Sequence, residues 1–243
     1  MIEYYPVDLP GKSLYDLQFN AKIRKVTPLE IKYVSDLFSK QRFEIKEYAE
    51  FLKKLIEFDN PEMTFEKLFW YDLQYILYQI RFRTFPKFPL KIKQVCSECG
   101  KEFMQTIDIG NMMVIEPSDI EGFSKTIELE NLGKVNIHNK LVGDDLKIEK
   151  FLEDHKLDKE NWNNIAFVAV LCAIEGQYNL EELYKFSEDG TLTAEDMINI
   201  EDWMTNTIWG MKEEVTIKCP KCGKEETKAY SVSLVDYFSV YRS

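Results

Sequence analysis

The sequence predicts an α+β protein with an N-terminal helical core and a bipartite ribbon whose two distant halves meet and enclose an inserted α+β region. Three observations carry that expectation. Cys96-Ser97-Glu98-Cys99-Gly100 and Cys219-Pro220-Lys221-Cys222-Gly223 are two copies of one motif, more than a hundred residues apart. Each copy follows a run of strand character, residues 90–95 and 214–218, and each is followed by Lys-Glu. Helical periodicity dominates the chain before the first copy, whereas short alternating runs and helices share the stretch between the copies.

Cys96, Cys99, Cys219 and Cys222 form a ligand set suited to one structural Zn²⁺ per chain. In a Cys-x-x-Cys knuckle two sulfurs of a tight turn converge on one metal, and a glycine after the second cysteine lets the chain turn back with positive φ. One hairpin supplies only two ligands, so two hairpins facing each other complete a tetrahedral sphere. Three alternatives stand beside this, the simplest being two unrelated pairs of reduced thiols. A thioredoxin-like redox pair is expected near a βαβ pattern with its thiol at a helix N-terminus, but both pairs here lie between strand-like runs. Structural disulfides are disfavoured by the opening Met1-Ile2-Glu3-Tyr4-Tyr5, which has neither the basic nor the apolar part of a secretory signal. Cys172, within an apolar run over 166–174, reads as a small core side chain.

The 243 residues can bury one substantial core with an insert, or two modest domains. With 31 Lys+Arg against 42 Asp+Glu, the net charge of -11 argues against direct nucleic-acid binding, because an acidic surface repels phosphate. No segment is long and apolar enough to predict a membrane span. A catalytic zinc needs an open coordination position, which four thiolates would fill. His138 and His155 fall in different elements and read as surface or hairpin side chains. Gly110, Gly133 and Gly143 are isolated turn residues, and acid pairs such as Asp144-Asp145 belong on solvated helix faces. No catalytic residue is expected. With 16 Phe, 13 Tyr and 4 Trp, some aromatic surface is expected to meet partners, with Tyr4, Tyr5 and the helix carrying Trp203 and Trp209 as candidates.

In chain order, residues 4–12 read as an extended arm broken by prolines, and 19–26 as a half-buried strand. Thr27 as N-cap, Pro28 as first helical residue and Glu30 as reciprocal acid start a helix. A second helix is expected over 45–57, with Ile45 and Leu52 on its inner face. Thr64 is expected to cap a third, with Phe65, Leu68, Phe69, Leu73, Ile76, Leu77 and Ile80 inward and Tyr71, Tyr75, Tyr78 and Phe82 on its flanks. The basic and aromatic run over 81–89 reads as a helix end whose charges complement the dipole, linked by prolines to the first knuckle. Strands follow over 104–109, 112–116, 125–129 and 134–138, then helices over 146–152, 162–174 and 180–186. A Thr193-capped helix is expected to carry Met197, Ile198, Ile200, Trp203, Met204, Ile208 and Trp209. Residues 228–234 read as the return strand of the second hairpin, and 235–243 as a short aromatic appendage.

The predicted organisation is therefore an N-terminal strand and helical region over 1–89, a bipartite zinc ribbon over 90–109 and 213–234, and an inserted α+β region over 110–212. Metal closure of the loop of about 120 residues between Cys99 and Cys219 would hold the ends of the insert together and make much of the fold zinc-dependent.

The stretch from Val7-Asp8-Leu9-Pro10-Gly11-Lys12 to Tyr15, with Ala21-Lys22-Ile23-Arg24-Lys25-Val26-Thr27-Pro28-Leu29-Glu30, resembles the opening of the baseplate hub subunit and hub assembly proteins of T4-like contractile-tailed phages. The Tyr-rich helix ending in arginine before a strand and Cys96-x-x-Cys99 is similar too. The resemblance implies a non-enzymatic structural or assembly protein of the baseplate hub, working through contacts with other tail or hub proteins. It implies a place in the virion tail or, during assembly, the host cytoplasm. The residues alone leave open a cytoplasmic zinc-ribbon adaptor in transcription or nucleic-acid processing, and a hydrolase with a structural zinc.

Overall fold

The computed structural model describes residues 2–39, 45–117, 124–175, 178–230, 232 and 236–238. The side chain of Ile45 and the part of the appendage beyond 238 lie outside the described residues. The alternating run before Thr27 forms β2 (Ala21–Arg24), flanked antiparallel by β1 (Tyr4–Val7) and β3 (Ile56–Phe58), with Ile23 opposite both Tyr5 and Ile56. Helix α1 (Pro28–Ser39) starts as its cap predicts. The Thr27 N–H donates to the Glu30 carboxylate at 2.9 Å, and the Glu30 N–H donates to Thr27 Oγ1 at 3.3 Å. Arg24 pairs with the same carboxylate at 2.6 Å and, with the Thr27 donors, holds the Glu30 carboxyl at about 2, so the cap also ties α1 to β2.

Two helix expectations are corrected by tertiary contacts. Helix α2 (Ile45–Lys53) stops short, and residues 56–58 become β3 because the open edge of β2 offers their backbone a ladder that a fraying helix end lacks. Thr64 begins only a 3-10 turn, Phe65–Lys67, and its hydroxyl makes no cap bond. Helix α3 (Trp70–Thr84) starts after an extended Phe69. There the insert's backbone stands in for the cap: the Trp70 N–H donates to the Lys140 carbonyl at 3.0 Å, and the Val142 N–H to the Leu68 carbonyl at 2.8 Å.

All seven inward residues expected around α3 are buried. Tyr78 is buried too, although its spacing put it on a flank, because the C-terminal segment covers that face. Its ring meets Tyr237 edge-on at 5.1 Å, and its hydroxyl donates to Glu213 at 2.8 Å. Phe238 packs against Phe51 at 5.3 Å. Tyr237 and Phe238, read from sequence as part of an appendage, are thus core residues. Buried Arg81 reaches the carbonyls of Asp236, Tyr237 and Phe88 at 2.9, 3.1 and 3.3 Å, while Arg83 lies 4.7 Å over the Tyr5 ring. The basic run is an internal anchor as well as a helix end.

The first ribbon hairpin is β4 (Leu90–Val95) with β5 (Glu102–Ile107). Beyond it, β6 (Val114–Ile115) pairs with β10 (Gly210–Met211), so the insert's first and last strands bond to each other. Between them β7 (Ser124–Leu129), β8 (Gly133–His138) and β9 (Ile174–Glu175) form an antiparallel sheet. α5 (Trp162–Ala173), α6 (Leu180–Asp189) and α7 (Ala194–Asn206) pack on it, and α4 (Val142–Asp154) packs on α5. The second hairpin is β11 (Glu214–Lys218) with β12 (Glu225–Ala229), a return strand that begins before the expected 228–234, of which 231, 233 and 234 lie outside the described residues. Thr193 and Asp196 cap α7 reciprocally, but the helix ends at Asn206, which leaves Ile208 and Trp209 outside it. One apolar cluster centres on α3 and takes in Met211, Tyr237 and Phe238. The insert holds two more, one around Ile137, Leu171 and Ile200 and one around Phe151, Leu152 and Cys172. No helix among the described residues is long and apolar enough to cross a membrane.

A buried carboxylate joins the chain's distant parts. Asp72, in the first turn of α3, accepts the Gly11 N–H at 2.8 Å, the Tyr15 hydroxyl at 2.7 Å and the indole N–H of Trp209 at 3.3 Å. Gly11 is required there, since a Cβ would stand 2.6 Å from both the carboxylate and the indole nitrogen. Desolvation pushes the Asp72 carboxyl up to about 6, against the lowering pull of Tyr15, Gly11 and Trp209. An unfolded Asp titrates near 3.9, so the folded chain holds this proton more tightly between the two values. Its contribution is complete below about pH 4 and is lost as pH rises through about 6, on the order of 3 kcal/mol in all. Asp72→Asn, which cannot titrate, is expected to remove that slope: in urea titrations the stability difference between wild type and variant should change between pH 4 and 7 and be flat above. A difference that does not vary with pH would contradict the assignment.

Candidate metal centre

The two knuckles fold alike because the same residues meet the same backbone demands. After β4 the Cys96 N–H donates to the Lys101 carbonyl and the Gly100 N–H to the Cys96 carbonyl, both at 3.0 Å. After β11 the Cys219 N–H donates to the Lys224 carbonyl and the Gly223 N–H to the Cys219 carbonyl, both at 2.9 Å. Gly100 and Gly223 take φ of 65° and 74°, the left-handed conformation expected of them. The strand registers also correspond, with Val95 opposite Glu102 and Lys218 opposite Glu225.

The fold brings all four sequence-predicted cysteines together. Cys96 Sγ lies 3.6 Å from Cys222 Sγ, Cys99 Sγ lies 3.6 Å from Cys219 Sγ, and the four sulfurs fall within 4.8 Å of one another. Four sulfurs at 2.3 Å from one tetrahedral ion stand about 3.8 Å apart. A disulfide needs about 2.05 Å, so the sulfurs are unbridged and stand near the spacing of ligands to one ion. Cys96 and Cys219 are buried, Cys99 is half-buried and Cys222 exposed, so the cluster opens to solvent on one side. The cluster can hold a metal ion. Cys172 and both histidines lie apart from it. His155 stacks on Phe151 at 3.9 Å with its Nε2 3.2 Å from Glu181, and His138 Nδ1 lies 2.8 Å from the Asn139 carbonyl.

The electrostatics of the cluster suit a cation. Backbone N–H groups of Cys222 and Lys221 pull the Cys219 thiol down to about 6. The backbone at Lys224 favours the thiolate of Cys222 as well, but desolvation and the crowding of Cys96, Cys219 and Cys99 hold its thiol up to about 12. Sulfurs this close cannot all ionise without positive charge between them.

One contact escaped the sequence reading. Glu226, on β12, accepts the Ser97 hydroxyl at 2.6 Å and the Ser97 N–H at 3.2 Å, and these bonds hold its carboxyl at about 2. A carboxylate of the second hairpin thus braces the turn of the first. The signal lay in the difference between the two copies. Pro220 stands where the first copy has Ser97 and has no N–H to offer, and Phe103 stands where the second has Glu226. Lys228 reinforces the join by donating to the Val95 carbonyl and pairing with Glu226 at 3.2 Å.

A family model described as T4 bacteriophage base plate protein matches residues 15–238, and the chain belongs to that family. No curated protein and no solved structure matches the chain. The family agrees with the resemblance read from the N-terminal motifs, and a non-catalytic, structural role through protein contacts goes with it.

Partners beyond the ligands tune metal sites by about 10- to 100-fold in affinity. Cobalt(II) added to reduced, chelator-treated protein is therefore expected to give the absorption of tetrahedral thiolate coordination, and Glu226→Ala to weaken the titration by about tenfold or more. Equal affinity in the two proteins would show that the brace does not serve the cluster.

Proposed function

We propose that this chain is a structural or assembly component of the phage baseplate hub, acting through contacts with other tail or hub proteins. We further propose that it holds one structural Zn²⁺ at Cys96, Cys99, Cys219 and Cys222. The family match over residues 15–238 carries the first part. The convergence of four sulfurs from two hairpins supports the second. An all-thiolate tetrahedral sphere suits zinc and leaves no open position for catalysis. Sulfurs within 4.8 Å leave room for one ion and not for a multi-iron cluster. The working location is the tail baseplate of the virion or, during assembly, the host cytoplasm.

When bound, the ion would supply cross-linking rather than chemistry. It would tie β4–β5 to β11–β12 and thereby close the insert at its base, above the β6–β10 pair. A division into an N-terminal region over 1–89, a ribbon over 90–109 and 213–234, and an insert over 110–212 is part of the same reading. The two apolar clusters confined to the insert support it.

Tagged protein recovered from infected cells under reducing conditions is expected to carry one zinc per chain and to bring tail or baseplate proteins with it. Cys219→Ser should lose the metal together with cooperative melting, whereas Cys172→Ala should keep it and change stability only through packing. Recovery of transcription proteins with no tail protein would remove the hub reading, and metal-free protein that melts cooperatively would remove the zinc.

A further inference from the structure

The aromatic surface expected at Tyr4, Tyr5 and the helix carrying Trp203 and Trp209 is at most partly exposed, Trp203 being half-buried, and a more exposed aromatic lies elsewhere. Trp209 is buried and the two tyrosines are half-buried, whereas Trp162, the first residue of α5, is 72% exposed. Trp162 stands at the edge of a groove of about 470 Å³ between α5 and α7. Phe167, Val170, Leu192 and Met197 line it, and Ile198, itself 56% exposed, stands with Trp162 among its walls. A large indole and a branched aliphatic held in water beside an apolar floor cost solvation that a covering side chain would recover.

The surroundings of the groove say what kind of segment covers it. Residues 180–209, which include α6 and α7, carry eight acids and a single base, Lys185. Glu201 lines the groove itself, and Glu195, Glu188 and Asp202 are exposed on the same helices. Among the described residues no Lys or Arg pairs with these four carboxylates, whereas acids of the ribbon such as Glu102, Glu225 and Glu226 each have a lysine partner. The acidity of these four carboxylates is therefore unpaired among the described residues. A second copy would bring the same acidic helices and a net charge of -11, and nucleic acid would bring phosphates, so both are repelled.

We infer that the groove between α5 and α7 is a docking site for a partner protein's segment that presents apolar side chains flanked by lysine or arginine. Its apolar side chains fill the floor between Trp162 and Ile198, and its cations meet Glu195 and Glu201. The mode is that of an amphipathic helix laid in a groove, with the tryptophan as anchor and the charges setting which segments are accepted. The inference deepens the reading of this chain as a protein that works by contacts and rests on that reading, but its test involves neither the metal nor any tail protein.

The probe is a fluorescein-labelled peptide with leucine at helical spacing and lysine elsewhere. One control has glutamate for lysine and a second has serine for leucine. In anisotropy titrations the first peptide is expected to bind one to one and to shield Trp162 from acrylamide quenching, and neither control to bind. Trp162→Ser or Ile198→Ser should weaken binding by about tenfold or more. Glu195→Gln combined with Glu201→Gln should weaken it by about three- to tenfold and flatten its salt dependence. The substituted side chains are exposed, and melting curves check that each variant folds; should Trp162→Ser fail, Ile198→Ser carries the test. Binding that is unchanged in these variants would overturn the proposal, as would a control peptide that binds as well as the first. Self-association in sedimentation that Trp162→Ser abolishes would assign the groove to a second copy instead, and would also overturn it. Any of these failures would leave the zinc content and the recovery of tail proteins where they stand.

Discussion

Closure of the long excursion between the two cysteine pairs is the constraint on which the rest of the structure depends. The chain leaves the N-terminal core after α3, builds a region with its own apolar clusters, and returns to the place it left. Joining the ends of so long a loop costs entropy that no single hydrogen bond offsets. The fold meets the cost at four adjoining points. Asp72 binds the Trp209 indole, β6 pairs with β10, Tyr78 holds Glu213, and four sulfurs converge between the two hairpins. The C-terminal residues Tyr237 and Phe238 then seal the first core over α3.

That arrangement explains which features were legible in the sequence. Local signals with a local mechanism were read correctly: the Thr27 capping box, the Thr193 cap, the positive φ of Gly100 and Gly223, the hairpin flanking each cysteine pair and the inward face of α3. The convergence of the four cysteines was legible because two half-sites imply each other. What failed depended on distant partners. Residues 56–58 look helical until β2 offers them an edge, and α3 starts at Trp70 because the backbone around residues 140–142 satisfies its first turn. Tyr78 and Tyr237 look peripheral until each covers the other. Nothing around Asp72 or Gly11 in the sequence reveals that one carboxylate gathers three separate segments.

The ribbon also shows how a repeated motif becomes asymmetric. Both halves share the turn, the glycine and the register, yet only the first half offers Ser97 and only the second offers Glu226. The join between them is therefore directional, and the second hairpin braces the first. A four-thiol clasp able to hold a metal ion suits a protein that presents surfaces rather than performs chemistry, and it leaves the acidic, tryptophan-bearing groove of the insert open on another face. Membership of the T4 base plate family gives that design a setting, an assembly built from protein contacts.

X-ray absorption at the zinc edge, on protein purified under reducing conditions, tests the central claim most directly. A single shell of four sulfurs at about 2.3 Å is expected, lost as a four-sulfur shell in Cys219→Ser. A shell containing nitrogen or oxygen ligands in the wild-type protein would contradict it. So would an absence of zinc accompanied by a disulfide between Cys96 and Cys99.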